Sequence, residues 1–264
     1  MPITLGRGQC VTAMTSLNDE VFILRWTIRQ VLVYDARTFA LQRSISIPSA
    51  NCLWGLAACA HHKCLYVSDG VCNSFIHRVE LSDGNPLTTW SVASSPRGLS
   101  VNDAHNVVVA CYGANKIQEY TTHGTLVREI SQEACVMSPF HAIELSTGHY
   151  VVSKFMSPGA VSVVGLDGQV VTSYCPSITS DVGTMLYPKS LAVTKNENIL
   201  VVDRDNDRIL LINHSLSTAQ QLDLPVSDEL HVPWSLCLDE SMGRLYIGEG
   251  GGSHRVLVYD GVRF

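Results

Sequence analysis

The chain contains no uninterrupted apolar run of about 18 residues, so no membrane-spanning helix is expected. Its opening residues, MPITLGRGQC, have no apolar core of the kind a secretory leader needs. No glycine pattern sits between a strand and a helix, which argues against a phosphate-cradling loop. There is no G-x-S-x-G elbow for an activated serine. Positive charge is in short supply: the net charge is −6, which disfavours bulk nucleic-acid binding through an all-round basic surface. The nine cysteines are an odd number, and without an export signal they are expected as free thiols in a reducing, cytoplasmic setting.

What the chain does have is 46% hydrophobic residues, ample for a core, distributed in short runs. The stretch Pro188 to Asn213, PKSLAVTKNENILVVDRDNDRILLIN, sets the pattern. Runs of four or five Val, Ile and Leu residues bounded by polar turn formers are too short for helices and read as strands. The apolar third run of each unit supplies a ruler at Tyr34, Val79, Tyr120, Val164, Ile212 and Tyr259. Successive spacings of 45, 41, 44, 48 and 47 residues each match one four-stranded propeller blade. The spacing therefore predicts an all-β, six-bladed β-propeller of four-stranded antiparallel blades, with residues 1–264 as a single domain.

Within each unit the strands are named a, b, c and d from the axis outward. The sixth unit runs short, with only VRF left after its third strand. The segment Ile3 to Leu5 precedes the first complete unit and has no place in it. It is expected to pair with strand c of unit six as the missing edge strand, because an unclosed ring leaves unpaired backbone groups at its seam. Gly84, Gly124 and Gly168 mark c–d hairpins, and Gly148 and Gly243 mark a–b turns.

The segment VVDRDNDRILLIN resembles the NHL repeat, whose blade core is an apolar strand, an Asp-x-x-Asn-x-Arg turn and another apolar strand. CLYVSDGVCNSFIHRVEL, VACYGANKIQEYTTHGTLV and VPWSLCLDESMGRLYIGEGGGSHRVLVYD look similar to the NHL domains at the C-terminus of TRIM-NHL proteins and their invertebrate relatives. Unit one diverges, with WTIRQ where the Asp-x-x-Asn turn would stand. The resemblance implies a propeller that recognises RNA or protein on one face, without catalysis.

On a propeller the d–a and b–c connections share one face, here called upper. The start of each strand a, nearest the axis, carries Trp54, Arg97, Phe140, Lys189 and Trp234, with His141 beside them. Aromatic faces stack on bases or cover apolar side chains, and cations hold phosphate or carboxylate. The neighbouring b–c loops add Arg25, Trp26, Lys116, Arg204, Arg208 and Arg255. These residues are the expected partner-binding set. A protein or peptide partner is preferred, with single-stranded RNA as the alternative. The isolated domain is expected to be monomeric and away from membranes.

Three other patterns carry less. Cys59, His61, His62 and Cys64 suggest zinc, but all four crowd one hairpin rather than two separated pairs. Asp203, Asp205 and Asp207 suggest calcium, but the sixth position is Arg208 where an EF-hand loop needs Gly. Related six-bladed lactonases hold a metal with carboxylates and Asn at the inner strand ends, where this chain has Trp, Arg, Phe, Lys and Trp. No metal, cofactor or catalytic residue is expected, and the chain is read as a non-enzymatic binding module.

Overall fold

A computed structural model describes all residues except 1–2, 6–9, 26–27, 71–72, 83–86, 132–137, 226–228, 252–254 and 263–264. Six four-stranded antiparallel sheets form the ring. Blade one comprises β2 (Val11–Leu17), β3 (Glu20–Arg25), β4 (Gln30–Asp35) and β5 (Leu41–Ser46), and blade two β6 (Leu53–Cys59), β7 (Cys64–Asp69), β8 (Phe75–Glu80) and β9 (Leu87–Ser91). Blade three comprises β10 (Pro96–Val101), β11 (Val107–Cys111), β12 (Lys116–Tyr120) and β13 (Leu126–Ser131), and blade four β14 (Pro139–Glu144), β15 (Tyr150–Lys154), β16 (Ala160–Val164) and β17 (Val170–Tyr174). Blade five comprises β18 (Pro188–Val193), β19 (Ile199–Asp203), β20 (Arg208–Ile212) and β21 (Ala219–Gln221). Blade six takes β22 (Pro233–Asp239), β23 (Arg244–Glu249) and β24 (Arg255–Asp260), and its fourth strand is β1 (Ile3–Thr4).

The expected ring closure is present: Ile3 pairs with Val256 and Thr4 with Arg255. The Ile3 side chain is buried in a cluster with Val11, Tyr246 and Val256, so the closing strand is held by packing as well as by its ladder. Six apolar clusters occupy the six seams between adjacent blades. This explains the unbroken apolar runs of the b strands. A second strand touches a neighbouring blade on each face, so VVVAC in β11 and ILVVD in β19 are buried throughout. Burying one such Val stabilises by about 1.5–3 kcal/mol. The outer d strands face solvent and are polar; β5 is buried only at Ile45. Charged and polar side chains there discourage edge-to-edge pairing.

The turn glycines behave as their positions demand. Gly124, Gly148, Gly168 and Gly243 all have φ between 62° and 83°. At Gly168 a side chain would also strike Ser131, since a Cβ there would lie 2.1 Å from the Ser131 carbonyl oxygen. Gly84 lies outside the described residues.

Candidate functional site

The upper mouth of the ring is built by one local device used six times. The first residue of each strand a pairs with the last residue of strand b: Val11 with Arg25, Leu53 with Asp69, Pro96 with Cys111, Pro139 with Lys154, Pro188 with Asp203, Pro233 with Glu249. Directly after it the register slips in every blade. The first residue of each slip is Thr12, Trp54, Arg97, Phe140, Lys189 or Trp234. A β-bulge re-aims a side chain and sharpens the local twist. Here it turns one residue per blade toward the axis. Thr12 is the sixth member, which the divergence of unit one conceals in the sequence. Ahead of the four prolines, Ser95, Ser138, Tyr187 and Val232 have φ of 54°, 65°, 52° and 49°, an uncommon conformation for residues other than glycine and most unusual for a β-branched one.

Apart from Thr12, whose hydroxyl donates to the Leu24 carbonyl, these residues do not stand as separate contacts. Trp54 and Trp234 stack with centroids 6.2 Å apart and planes at 26°, and Phe140 meets Trp54 edge-on at 6.5 Å. The Arg97 guanidinium lies 3.9 Å from the Trp54 ring centre and 5.5 Å from that of Tyr112. The Lys189 ammonium is enclosed, 3.0 Å from the Trp234 ring centre, 4.5 Å from Phe140 and 4.6 Å from Phe155. Arg204 covers Trp234 at 4.9 Å. Tyr187 extends the aromatic plate through Phe155, at 5.2 Å.

Lys189 is only 1% exposed. Burial, and then the charges of Arg204 and Arg97, push its pKa well below the ordinary lysine value. The surrounding ring faces act in the opposite sense, since they attract a cation. Lys189 is therefore the internal pillar of the plate and does not present its charge to solvent. Trp54, Arg97 and Trp234 are half-buried and retain an open side. Arg97 Nη1 makes no hydrogen bond among the described residues.

His141 also has a different position from the one expected. Its Nδ1 accepts from the Leu191 backbone N–H at 3.0 Å, and its Nε2 lies 3.0 Å from the Leu99 carbonyl. A backbone N–H can only donate, so Nδ1 is the acceptor and Nε2 carries the proton. The neutral ring thereby ties β10, β14 and β18 together, and burial pushes its pKa down to about 4.

The b–c cations divide. Lys116 pairs with Glu129 on the adjacent strand. Arg208 Nε donates to Asp203 at 2.7 Å, and Arg255 Nε to Glu249 at 2.6 Å. Their charges are engaged inside their own blades. Arg204 pairs with Asp205 at 2.8 Å while covering Trp234. Arg25 is half-buried at the end of β3, and burial lowers its pKa. Trp26 lies outside the described residues. The structure thus gathers Trp54, Arg97, Phe140, Lys189, Trp234 and Arg204 into one plate. Phe155, expected on this face as a b–c loop residue, completes it together with Tyr112 and Tyr187; these two carry no motif, and their position just after or before a strand end on the upper face is the signal that could have found them.

The other patterns resolve locally. Cys59 and Cys64 face each other across β6 and β7 as buried free thiols. His61 stacks on His105 of the next blade, 4.1 Å away and 8° from parallel. Asp203 accepts from Leu186 N–H, Asn206 and Arg208. Among the described residues no group of three or more His, Cys, Asp or Glu is placed to hold a metal ion.

No family model and no curated protein matches the chain in sequence, so the NHL likeness is not confirmed at family level. Solved structures match in fold. A protein of unknown function from Bacteroides caccae superposes with a TM-score of 0.71 at 16% identity, over 91% of this chain and 89% of that one. Virginiamycin B lyase from Staphylococcus aureus gives 0.66 at 12% identity, over 95% and 84%. A chain of the nidogen/laminin complex gives 0.65 at 15% identity, over 84% and 82%. At these identities the likeness establishes a propeller of this architecture and nothing finer. It does correct one expectation. A lyase shares the ring, so missing serine-elbow and phosphate-loop patterns exclude those two chemistries and leave the non-enzymatic reading without support.

Proposed function

We infer that the chain recognises a segment of a partner protein on its upper face, with the Trp54–Trp234 stack as platform and Arg97 as anion anchor. The observation that carries this reading is the half-open plate itself. Two indoles and a guanidinium are brought together by ring contacts to one another. Pre-organised aromatic and Arg groups of this kind dominate binding energy where they occur at interfaces. Such a plate accepts an aromatic or aliphatic side chain on the indoles and a carboxylate at Arg97. A propeller of similar fold occurs in the nidogen/laminin complex, an assembly of proteins. The NHL-like turn VVDRDNDRILLIN supports the same use of this face. The odd cysteine count supports a cytoplasmic setting, and the six blades are taken to act as one monomeric domain.

The test is a peptide array probed with the protein and with a Trp54→Ala, Arg97→Ala double variant of unchanged melting temperature. Peptides bound by the parent should lose at least tenfold in affinity for the variant. Unchanged affinity would remove the plate from the site. Salt separates the RNA alternative: a complex making 6–10 phosphate contacts weakens about 10³–10⁵-fold between 50 and 200 mM salt. A peptide on the indole platform should change by less than about tenfold.

A further inference from the structure

Below the plate the central channel continues toward the a–b turns. The cavity has a volume of about 270 Å³ and is bounded above by Trp54 and Phe140. Its wall runs down the inner strands to Ala58, Val101, Val193 and Leu238, near the ends of β6, β10, β18 and β22. From Trp54 to Ala58 is four residues, about 13 Å at the strand rise. The two ends differ. Phe140 is 7% exposed and Lys189 1%, so the upper end is stoppered. The four residues at the lower end are all half-exposed, so the channel opens there.

The wall has a chemical bias. Among the described residues no Asp, Glu, Lys or Arg lines it. Ser100 and Ser190 already donate to the Ala142 and Leu236 carbonyls, and both His141 nitrogens are engaged. Thr15, near the lower rim, makes no side-chain hydrogen bond among the described residues. Glu144 and Asp239 end β14 and β22 beside the opening, where they repel anions.

We propose that this blind channel is a binding site for a small uncharged amphiphile, entered from the face opposite the aromatic plate. The aliphatic body lies along the inner strands, and a single hydroxyl or carbonyl stays at the Thr15 rim. A charged ligand would find no counter-ion in the wall and would leave its hydration behind. A longer aliphatic chain buries more surface until it reaches the Trp54–Phe140 stopper, and then gains nothing. The site shares Trp54 and Phe140 with the plate but is entered from the other face.

The experiment measures binding of n-alkanols from butanol to decanol by calorimetry. Affinity should rise about fourfold per methylene and then level off. Alkanoates of matching length should bind at least tenfold more weakly. Ala58→Phe and Val101→Phe each narrow the open end and should abolish binding. Trp54→Ala removes the stopper and should move the levelling-off to longer chains. Two results would overturn the proposal. One is an affinity that does not change with chain length. The other is parental alkanol binding in either narrowing variant with its melting temperature retained.

Discussion

Blades two, five and six turn their upper corner around a buried carboxylate, and blade three does not. Asp69, Asp203 and Glu249 each end strand b with 0% exposure. Each accepts from the backbone that enters its own blade: Asp69 from Asn51 and Cys52 N–H, Asp203 from Leu186 N–H, Glu249 from His231 N–H. Each also takes a side chain from the b–c loop: Asn73, then Asn206 and Arg208, then Arg255. Blade three has Cys111 at this position. There Gln118, reaching up from the next strand, accepts from Ala93 N–H at 2.8 Å. The entering turn leaves amide donors that no ladder satisfies, and a buried amide without an acceptor is costly. A buried carboxylate here takes one or two entering amides together with side chains of its own blade, and must itself be surrounded by donors. The neutral Gln118 amide accepts from Ala93 N–H and the Tyr120 hydroxyl and donates to Glu129, with no charge to be surrounded.

The sharpest way to break this comparison is Asp203→Ala. It leaves the Arg208 charge and the Leu186 N–H without their acceptor, and should cost about 3–5 kcal/mol in urea denaturation. If it costs no more than Cys111→Ala in blade three, the carboxylate corner has no special role. Next in size is a pH effect on the neutral side. His141 titrates at about 4 in the fold against an ordinary 6.5. The unfolded chain therefore binds the proton first. The stability this group contributes is complete above about pH 6.5 and is lost as pH falls toward 4, up to about 3 kcal/mol. Melting curves of a His141→Gln variant should be flatter by that amount across the window, and an unchanged slope would refute the assignment. Gln118→Met should cost about 1–2 kcal/mol, less than Asp203→Ala, because the donors it leaves behind, Ala93 N–H and the Tyr120 hydroxyl, are neutral. Smallest is Ser68→Ala, at about 1 kcal/mol, since Ser68 Oγ only joins Gly55 N–H to the Arg97 carbonyl across one seam.

The ring was legible in the chain because blade spacing and strand length are local properties. The c-strand ruler and the unpartnered Ile3 sufficed to place every blade and the closure. The site was legible only in part. Pro96, Pro139, Pro188 and Pro233 flag the residues that reach the axis, and those residues do meet. Whether a cation is presented or consumed depends on which neighbours the fold brings to it. Arg255 meets Glu249, six residues back, and Lys189 disappears beneath Phe155 and Trp234. His141 looks like a mouth residue by position, but its role is set by two backbone groups 42 and 50 residues away. No periodicity encodes such pairings.

Ring closure also sets a timetable. Ile3 meets Val256, 253 positions later. At about 5–20 residues per second of synthesis, the first strand waits on the order of 13–50 s for its partner to be made. Through that interval blade six has no outer strand, and the edge that will receive Ile3 does not exist. The last seam to form joins the ring's earliest-made strand to its latest, so a ribosome stalled before Val256 would carry a nearly complete ring that cannot shut.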